Sequence, residues 1–254
     1  MKKDKALISL LFLLICVFFF SGFKSMENTS NVVNSQISKI SSKNTTYLLE
    51  EQFSKKIQTQ ISLTCFEYLN KIMKSNNPRE IKPEETIFFG DSLTVGMNHS
   101  NNLVSQGYTV EAKVSRFIQG AIEVAKNHNN FKNIIITIGT NNYSANDEIF
   151  KDEYLKLITI IKNNNPNSNI YLNSIPPCNE NNTINHGYNI TNFDIDNKNQ
   201  IIYELAIEQN CYFINSNEYL KETGYSSGDG VHLSPDTYVK LFEYIKDFIS
   251  RQYL

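Results

Sequence analysis

The sequence predicts an α/β protein with three layers, in which a five-stranded parallel sheet is covered by helices on both faces. Two observations predict this class. From residue 85 onward, short apolar runs alternate with longer helical stretches, and the alternation occurs five times. In addition, all five residues of the run 134–138 are β-branched, which is typical of a strand buried on both faces.

Each element is predicted from its own pattern. Apolar, largely β-branched or aromatic runs place the strands over 87–90, 108–114, 134–138, 170–175 and 211–214. Apolar residues at helical spacing place helices over 117–128, 147–163 and 196–209. Ser92 is expected to begin a helix after the first strand. Ser234 and Pro235 begin the last helix, because Ser is a favoured N-cap and Pro is favoured at the first helical position.

The first 84 residues are expected to lie outside this domain, which spans 85–254. Lys2, Lys3 and Lys5 precede the apolar run 6–20, which is the layout of an exported or membrane-anchored chain. We therefore predict a signal peptide or signal anchor over 1–24, a polar linker over 25–44, and an amphipathic helix with its connector over 45–84. No clean cleavage site follows the apolar run, so cleavage and anchoring both stay open. Either alternative places the remainder of the chain outside the cytoplasm, with a membrane partner only if the segment is uncleaved.

Composition excludes several classes of function. The 254 residues carry 24 Lys and Arg against 26 Asp and Glu, so no nucleic-acid partner is expected. The four cysteines form no Cys-x-x-Cys pair, and no Cys, His, Asp or Glu cluster has metal-ligand spacing. The sequence therefore predicts no metal and no cofactor.

Polar residues that could carry chemistry follow the predicted strands, where parallel sheets place their sites. Ser92 follows the first strand, Asn141 follows the third, and Asp229 and His232 precede the last helix. Each alone has an ordinary explanation, such as a helix cap, a turn or a solvated loop residue. Together they supply a nucleophile, a base, an orienting carboxylate and an amide donor, which are the parts of an acyl-transfer site.

The motifs that hold these residues resemble those of the SGNH (GDSL) hydrolase family. The matching segments are Phe-Gly-Asp-Ser-Leu-Thr at 89–94, Gly-Thr-Asn-Asn at 139–142, and Asp-Gly-Val-His at 229–232 followed by Leu-Ser-Pro. The resemblance covers about residues 85–254 and implies a flavodoxin-like fold and ester hydrolysis. Within that family, the sequence resembles bacterial extracytoplasmic esterases and carbohydrate O-acetylesterases.

The resemblance implies a role for each residue. Ser92 would be the nucleophile, His232 the general base and Asp229 the residue that orients the imidazole. The oxyanion hole would consist of the backbone N–H of Ser92, the side-chain amide of Asn141 and a backbone N–H after the second strand. The family usually has Gly at that last position; here Ser115 is the expected match, with Gly120 as the alternative.

The substrate is less clearly indicated. Arg116 is expected to bind a carboxylate or a sugar hydroxyl beside the hole. The segment 177–195, with His186, Tyr188 and Phe193, either sets specificity or is a surface insertion. The predicted substrate is a small-molecule or polysaccharide ester, with O-acetyl carbohydrate favoured. O-acyl transfer, lipase activity and a non-catalytic binding module remain alternatives.

Overall fold

The computed structural model describes residues 78–252 and confirms the predicted class. Five parallel strands form one sheet in the order β2-β1-β3-β4-β5. The strands are β1 Thr86–Gly90, β2 Thr109–Ala112, β3 Asn133–Thr137, β4 Asn169–Asn173 and β5 Tyr212–Ile214. The carboxyl ends of the strands therefore share one edge of the sheet, which is where a site was expected.

Helices cover both faces of the sheet. Their bounds are α1 Ser92–Asn101, α2 Ile118–Ala125, α3 Asp147–Asn164, α4 Glu180–Asn185, α5 Asn192–Glu208, α6 Ser216–Thr223 and α7 Pro235–Ser250. Helices α1, α6 and α7 pack together as one layer, and α2, α3 and α5 pack together as the other. Short α4 belongs to neither layer and follows the carboxyl end of β4.

The central strands are apolar because both of their faces are covered. Phe88, Ile135 and Tyr171 are register neighbours on β1, β3 and β4, and all three are buried against the α1–α7 layer. The alternate residues Ile87 and Ile136 are fully buried as well. Burial on both faces replaces the apolar–polar alternation of a half-exposed strand with the continuous run seen in the sequence.

Two boundaries differ from the sequence prediction in ways that bear on the site. Strand β2 ends at Ala112 rather than at residue 114, because a turn closed by the Arg116 N–H and the Lys113 carbonyl follows it. Helix α5 begins at Asn192 rather than near 196, because Thr191 and Asp194 form a reciprocal capping box.

The end of the predicted connector packs on the amino edge of the sheet. The Arg79 N–H donates to the carbonyl of Ser250, and its guanidinium donates to the Tyr171 hydroxyl at 3.0 Å. The predicted signal segment, the polar linker and the amphipathic helix lie outside the described residues. Within residues 78–252, no helix is both long and apolar enough to cross a membrane.

Candidate active site

The nucleophile candidate Ser92 lies at the turn from β1 into α1. Gly90 ends β1 so close to its neighbours that a Cβ there would lie 2.6 Å from the carbonyl oxygen of Thr137. Asp91 caps α1 by accepting the Leu93 N–H at 3.0 Å, and Ser92 is the first helical residue. The N–H of a first helical residue has no intrahelical acceptor, and a helix N-terminus favours negative charge. The backbone at Ser92 is thus suited to an oxyanion.

The structure brings Asp229 and His232 together in the loop before α7. The ring Nδ1 of His232 lies 2.6 Å from Oδ2 of Asp229, and the Val231 and His232 N–H groups donate to Oδ1 at 2.9 and 2.8 Å. Partial burial alone would raise the pKa of Asp229. The hydrogen bonds from the His232 ring and the two backbone N–H groups outweigh it and hold the pKa at about 2. Asp229 is therefore a carboxylate that fixes the Nδ1 side of the imidazole.

The loop that carries this pair is fixed against α4. The Asn179 N–H donates to the carbonyl of Gly230 at 2.9 Å, and the Asn182 amide donates to the carbonyl of Ser227 at 3.0 Å. Gly230 has φ +93°, and a Cβ there would meet the backbone N of Thr183. Only glycine permits both this backbone conformation and this close approach.

Helix packing directs the His232 loop toward the Ser92 turn. Helix α7, which follows His232, packs on α1, which begins at Ser92. His232 is also near enough to Asp91 for its charge to lower the pKa of that carboxyl. The Ser92 hydroxyl makes no hydrogen bond to any residue of 78–252, and the residue is 8% exposed. Hydrogen bonds of a catalytic serine often close only when substrate binds.

The Asp91 carboxyl behind Ser92 is fully buried. Burial raises its pKa from 3.8 to about 6, against the opposing effect of the N–H groups of Leu93, Gly139 and Thr140. Its Oδ1 accepts the Leu93 N–H, whereas Oδ2 has no hydrogen bond of normal geometry within the described residues. The motif therefore keeps a costly buried acid directly beside the nucleophile.

The two remaining oxyanion candidates lie side by side. Ser115 has φ +57°, and its N–H donates to no residue in the described range. The Asn141 amide donates one hydrogen bond, at 3.0 Å, to the carbonyl of Arg116, the next residue after Ser115. An amide nitrogen has two hydrogens, so the second stays available to an oxyanion. Gly120, the alternative to Ser115, lies instead within α2.

The turn after β3 depends on Gly139 and Asn142. Gly139 has φ +131°, and a Cβ there would lie 3.1 Å from the ring of Phe150. The Asn142 side chain accepts the Ile118 N–H at 3.3 Å and so ties this turn to the start of α2. Asn142 therefore positions the backbone that carries Asn141.

Arg116 is engaged within the protein. Its guanidinium donates to the carbonyl of Glu111 and to the Glu111 carboxylate, both at 2.9 Å, and its side chain is buried. Glu111 also lies 3.1 Å from Nε2 of His128. Binding of substrate by Arg116, which the sequence predicts, would require these contacts to break, and that role stays a prediction.

Tyr188 lies in the segment 177–195, which the sequence predicts either to set specificity or to be a surface insertion. Its ring centroid lies 6.4 Å from that of His232, at 75°. His186 and Phe193, which share its segment, are exposed. In the described part of the chain, no group of three or more His, Cys, Asp or Glu side chains could hold a metal ion.

The class of this protein is a three-layer α/β/α carboxylic ester hydrolase. The family model of the GDSL-like lipase/acylhydrolase family matches residues 88–240, and the chain belongs to that family. No curated protein sequence resembles the chain closely enough to match.

Solved structures of other proteins share the fold. A Streptococcus pneumoniae structure named for platelet activating factor is 23% identical, with a TM-score of 0.58 over 82% of this chain and 100% of that one. A lipase/acylhydrolase from Enterococcus faecalis is 15% identical, with a TM-score of 0.53 over 65% and 95%. A carbohydrate acetylesterase family member from Sinorhizobium meliloti is 15% identical, with a TM-score of 0.50 over 65% and 96%. At these identities the likeness concerns the fold alone.

Proposed function

We propose that the protein is a serine esterase that hydrolyses short O-acyl esters, in particular O-acetyl groups on carbohydrate, through an acyl-enzyme on Ser92. The observation that carries the proposal is the 2.6 Å contact of the Asp229 carboxylate with Nδ1 of His232. That contact leaves Nε2 as the ring nitrogen that can accept a proton. The loop holding the ring precedes a helix packed on the one that begins at Ser92.

The proposed reaction has two halves. Ser92 Oγ attacks the ester carbon while His232 accepts its proton, and the negative charge develops on the former carbonyl oxygen. The N–H groups of Ser92 and Ser115 and the free amide hydrogen of Asn141 stabilise that charge. The C–O bond to the alcohol then breaks, and His232 returns the proton to the leaving oxygen. Water attacks the acyl-enzyme in the same way, which releases the carboxylic acid and regenerates Ser92.

A second candidate, hydrolysis of longer acyl or lipid esters, has an observation in its favour. Large apolar side chains are exposed at the same edge of the sheet, namely Val114 and Phe117 beside Ser115, and Ile184 on α4. Two cavities of about 260 and 420 Å³ lie elsewhere, around Arg79 near the amino edge of the sheet. We favour the short-acyl hypothesis because the segment 177–195, beside the His232 loop, is rich in Asn and so does not offer an apolar groove for a long acyl chain.

A chain-length series distinguishes the two candidates. The full chain in detergent is given 4-nitrophenyl acetate, butyrate and octanoate, with Ser92→Ala as control. We expect hydrolysis that falls with chain length and drops on the order of 10⁴-fold or more in Ser92→Ala. Release of acetate from an O-acetylated glycan is then measured with the unmodified chain and with Ser92→Ala. A rise with chain length favours the lipase, and turnover that survives in Ser92→Ala contradicts both candidates.

We also propose that the chain acts outside the cytoplasm, as a secreted or anchored enzyme. The support is the sequence layout alone: Lys2, Lys3 and Lys5 before the apolar run 6–20. Protease added to intact cells should digest an anchored chain, whereas full protection in intact cells would contradict the proposal.

A further inference from the structure

We propose that Tyr188 and the segment 180–190, which consists of α4 and the loop after it, form the subsite for the alcohol part of the substrate, and that the subsite takes a ring-shaped alcohol such as a pyranose. The inference deepens the proposed function and rests on it. It starts from the contact of the Tyr188 ring with that of His232, whose centroids are 6.4 Å apart.

The chemistry of His232 decides which part of the ester lies beside Tyr188. The imidazole must reach the leaving oxygen in order to return the proton to it. The alcohol therefore departs alongside the His232 ring, whereas the carbonyl oxygen faces the N–H groups of Ser92 and Ser115. A side chain in contact with the imidazole thus borders the alcohol.

The segment is built into the site rather than lying loosely over it. The Tyr188 N–H donates to the carbonyl of Thr183 at 2.9 Å, and the Tyr188 carbonyl accepts the hydroxyl of Tyr143 at 2.8 Å. Tyr143 directly follows the turn that bears Asn141. Together with the contacts of Asn179 and Asn182 to the 227–230 loop, these bonds connect Tyr188 to both the His232 loop and the oxyanion side. The segment therefore has a fixed position, which a segment that borders and selects the substrate requires.

The exposed surface of Tyr188 indicates the ligand class. The residue is 39% exposed, and its hydroxyl makes no hydrogen bond to any residue between 78 and 252. An aromatic ring with a free hydroxyl offers a flat apolar face together with a polar tip. A pyranose ring has the same combination, with C–H faces and hydroxyl edges. A linear alkyl alcohol would use only part of this surface.

The test compares acetate esters of two different alcohols, a sugar and ethanol. Glucose pentaacetate and ethyl acetate are given to the full chain and to Tyr188→Ala, and the released acetate is measured. We expect kcat/KM for the sugar ester to fall about 3–10-fold, as for the loss of one aromatic contact, with less than a twofold change for ethyl acetate. Tyr188→Phe should retain at least half of the sugar preference. Ile207 is an exposed apolar residue on α5. Ile207→Ala is the matched control and should leave kcat/KM unchanged for both esters.

A second readout uses the order of bond breaking. Once the acyl-enzyme has formed, the alcohol has left, so the deacylation rate after a 4-nitrophenyl acetate burst should be unchanged in Tyr188→Ala. The ratio of acetate to butyrate turnover should be unchanged as well. The subsite is refuted if Tyr188→Ala lowers kcat/KM equally for the sugar ester and ethyl acetate, or if it changes the ratio of acetate to butyrate turnover. It is also refuted if Tyr188→Phe loses as much kcat/KM for the sugar ester as Tyr188→Ala. Absence of turnover in the unmodified chain, or its persistence in Ser92→Ala, contradicts the proposed function itself.

Discussion

Ser115 holds a backbone conformation that glycine adopts more easily. Its φ of +57° lies in the left-handed region, where a residue with a Cβ typically costs about 1 kcal/mol or more. The proposed role of Ser115 uses only its N–H, which glycine also provides. The left-handed backbone alone sets the direction of the Ser115 N–H, and the side chain does not contribute to it.

Ser115→Gly should therefore raise stability and keep activity. We expect the melting temperature to rise by about 2–4 °C, with kcat for 4-nitrophenyl acetate within about twofold of the unmodified chain. Ser115→Ala is the matched control: it keeps the Cβ and the N–H, so it should keep both melting temperature and kcat. A large loss of kcat in Ser115→Ala would show that the hydroxyl, rather than the backbone, is used.

Arg116 shows what single-residue reasoning could and could not predict. The sequence indicates a cation next to the oxyanion position, which suggested substrate binding. It gives no sign that the guanidinium is bound by Glu111, because the turn that ends β2 at Ala112 brings the two side chains together. The roles of Ser92, Asn141, Asp229 and His232 stay predictions; what the structure shows is the 2.6 Å contact of Asp229 with His232.

At the scale of elements, the strands were predictable and the segment after β4 was not. The β-branched runs and the Ser234–Pro235 signal identify β3 and α7 from local patterns alone. The Thr191–Asp194 capping box is also visible in the sequence and would have placed the start of α5 correctly. Helix α4 lacks a clear apolar stripe, and its packing against Gly230 and Ser227 is tertiary, so no local pattern predicts it.

The docking of the catalytic loop on α4 predicts a specific sensitivity at Gly230. In Gly230→Ala, the new Cβ meets the backbone N of Thr183 and lies 2.7 Å from the Asn179 carbonyl oxygen, on a backbone at φ +93°. We expect a loss of about 2–3 kcal/mol in the free energy of unfolding and at least a tenfold loss of kcat, because the Asp229–His232 loop must move.

Gly224→Ala separates the backbone cost from the contact. Gly224 has φ +82° and ψ 148° but open space around its Cβ position, so only a conformational cost of about 1–3 kcal/mol should appear, with kcat unchanged. Thermal unfolding and 4-nitrophenyl acetate hydrolysis of both variants are the measurements. Equal effects in the two variants would mean that the loop does not depend on α4.

At the scale of the whole molecule, the buried Asp91 makes stability depend on pH. Its pKa is raised from 3.8 in the unfolded chain to about 6 in the folded one. Between these two pH values the folded state therefore binds more protons than the unfolded state. Its contribution therefore favours folding at low pH and is lost as pH rises from about 4 to 6. A shift of about two pKa units corresponds to about 3 kcal/mol.

Asp91→Asn should remove this slope while keeping an oxygen to cap α1. We expect the stability of the variant, relative to the unmodified chain, to increase as pH rises from 4 to 6. Asp152→Asn, at an exposed position on α3, serves as the control. The measurement is chemical denaturation at several pH values. Parallel stability curves for the unmodified chain and Asp91→Asn would show that Asp91 titrates alike in both states.

The overall fold followed from sequence because the alternation of strands and helices leaves few ways to cover a parallel sheet. The edge that carries the site followed from the same rule, since the carboxyl ends of parallel strands meet. The order β2-β1-β3-β4-β5 and the seating of α4 depend on packing between distant segments, which a single sequence does not display.

The most direct test of the central claim is covalent labelling of Ser92 by a fluorophosphonate in the full chain, followed by peptide mass mapping. An activated serine reacts at phosphorus, forms an Oγ–P bond and releases fluoride. We predict one label, on Ser92, which forms far more slowly in His232→Ala and Asp229→Asn. A label on another serine, or equal labelling rates in these variants, would contradict a nucleophile at Ser92 activated by the Asp229–His232 pair.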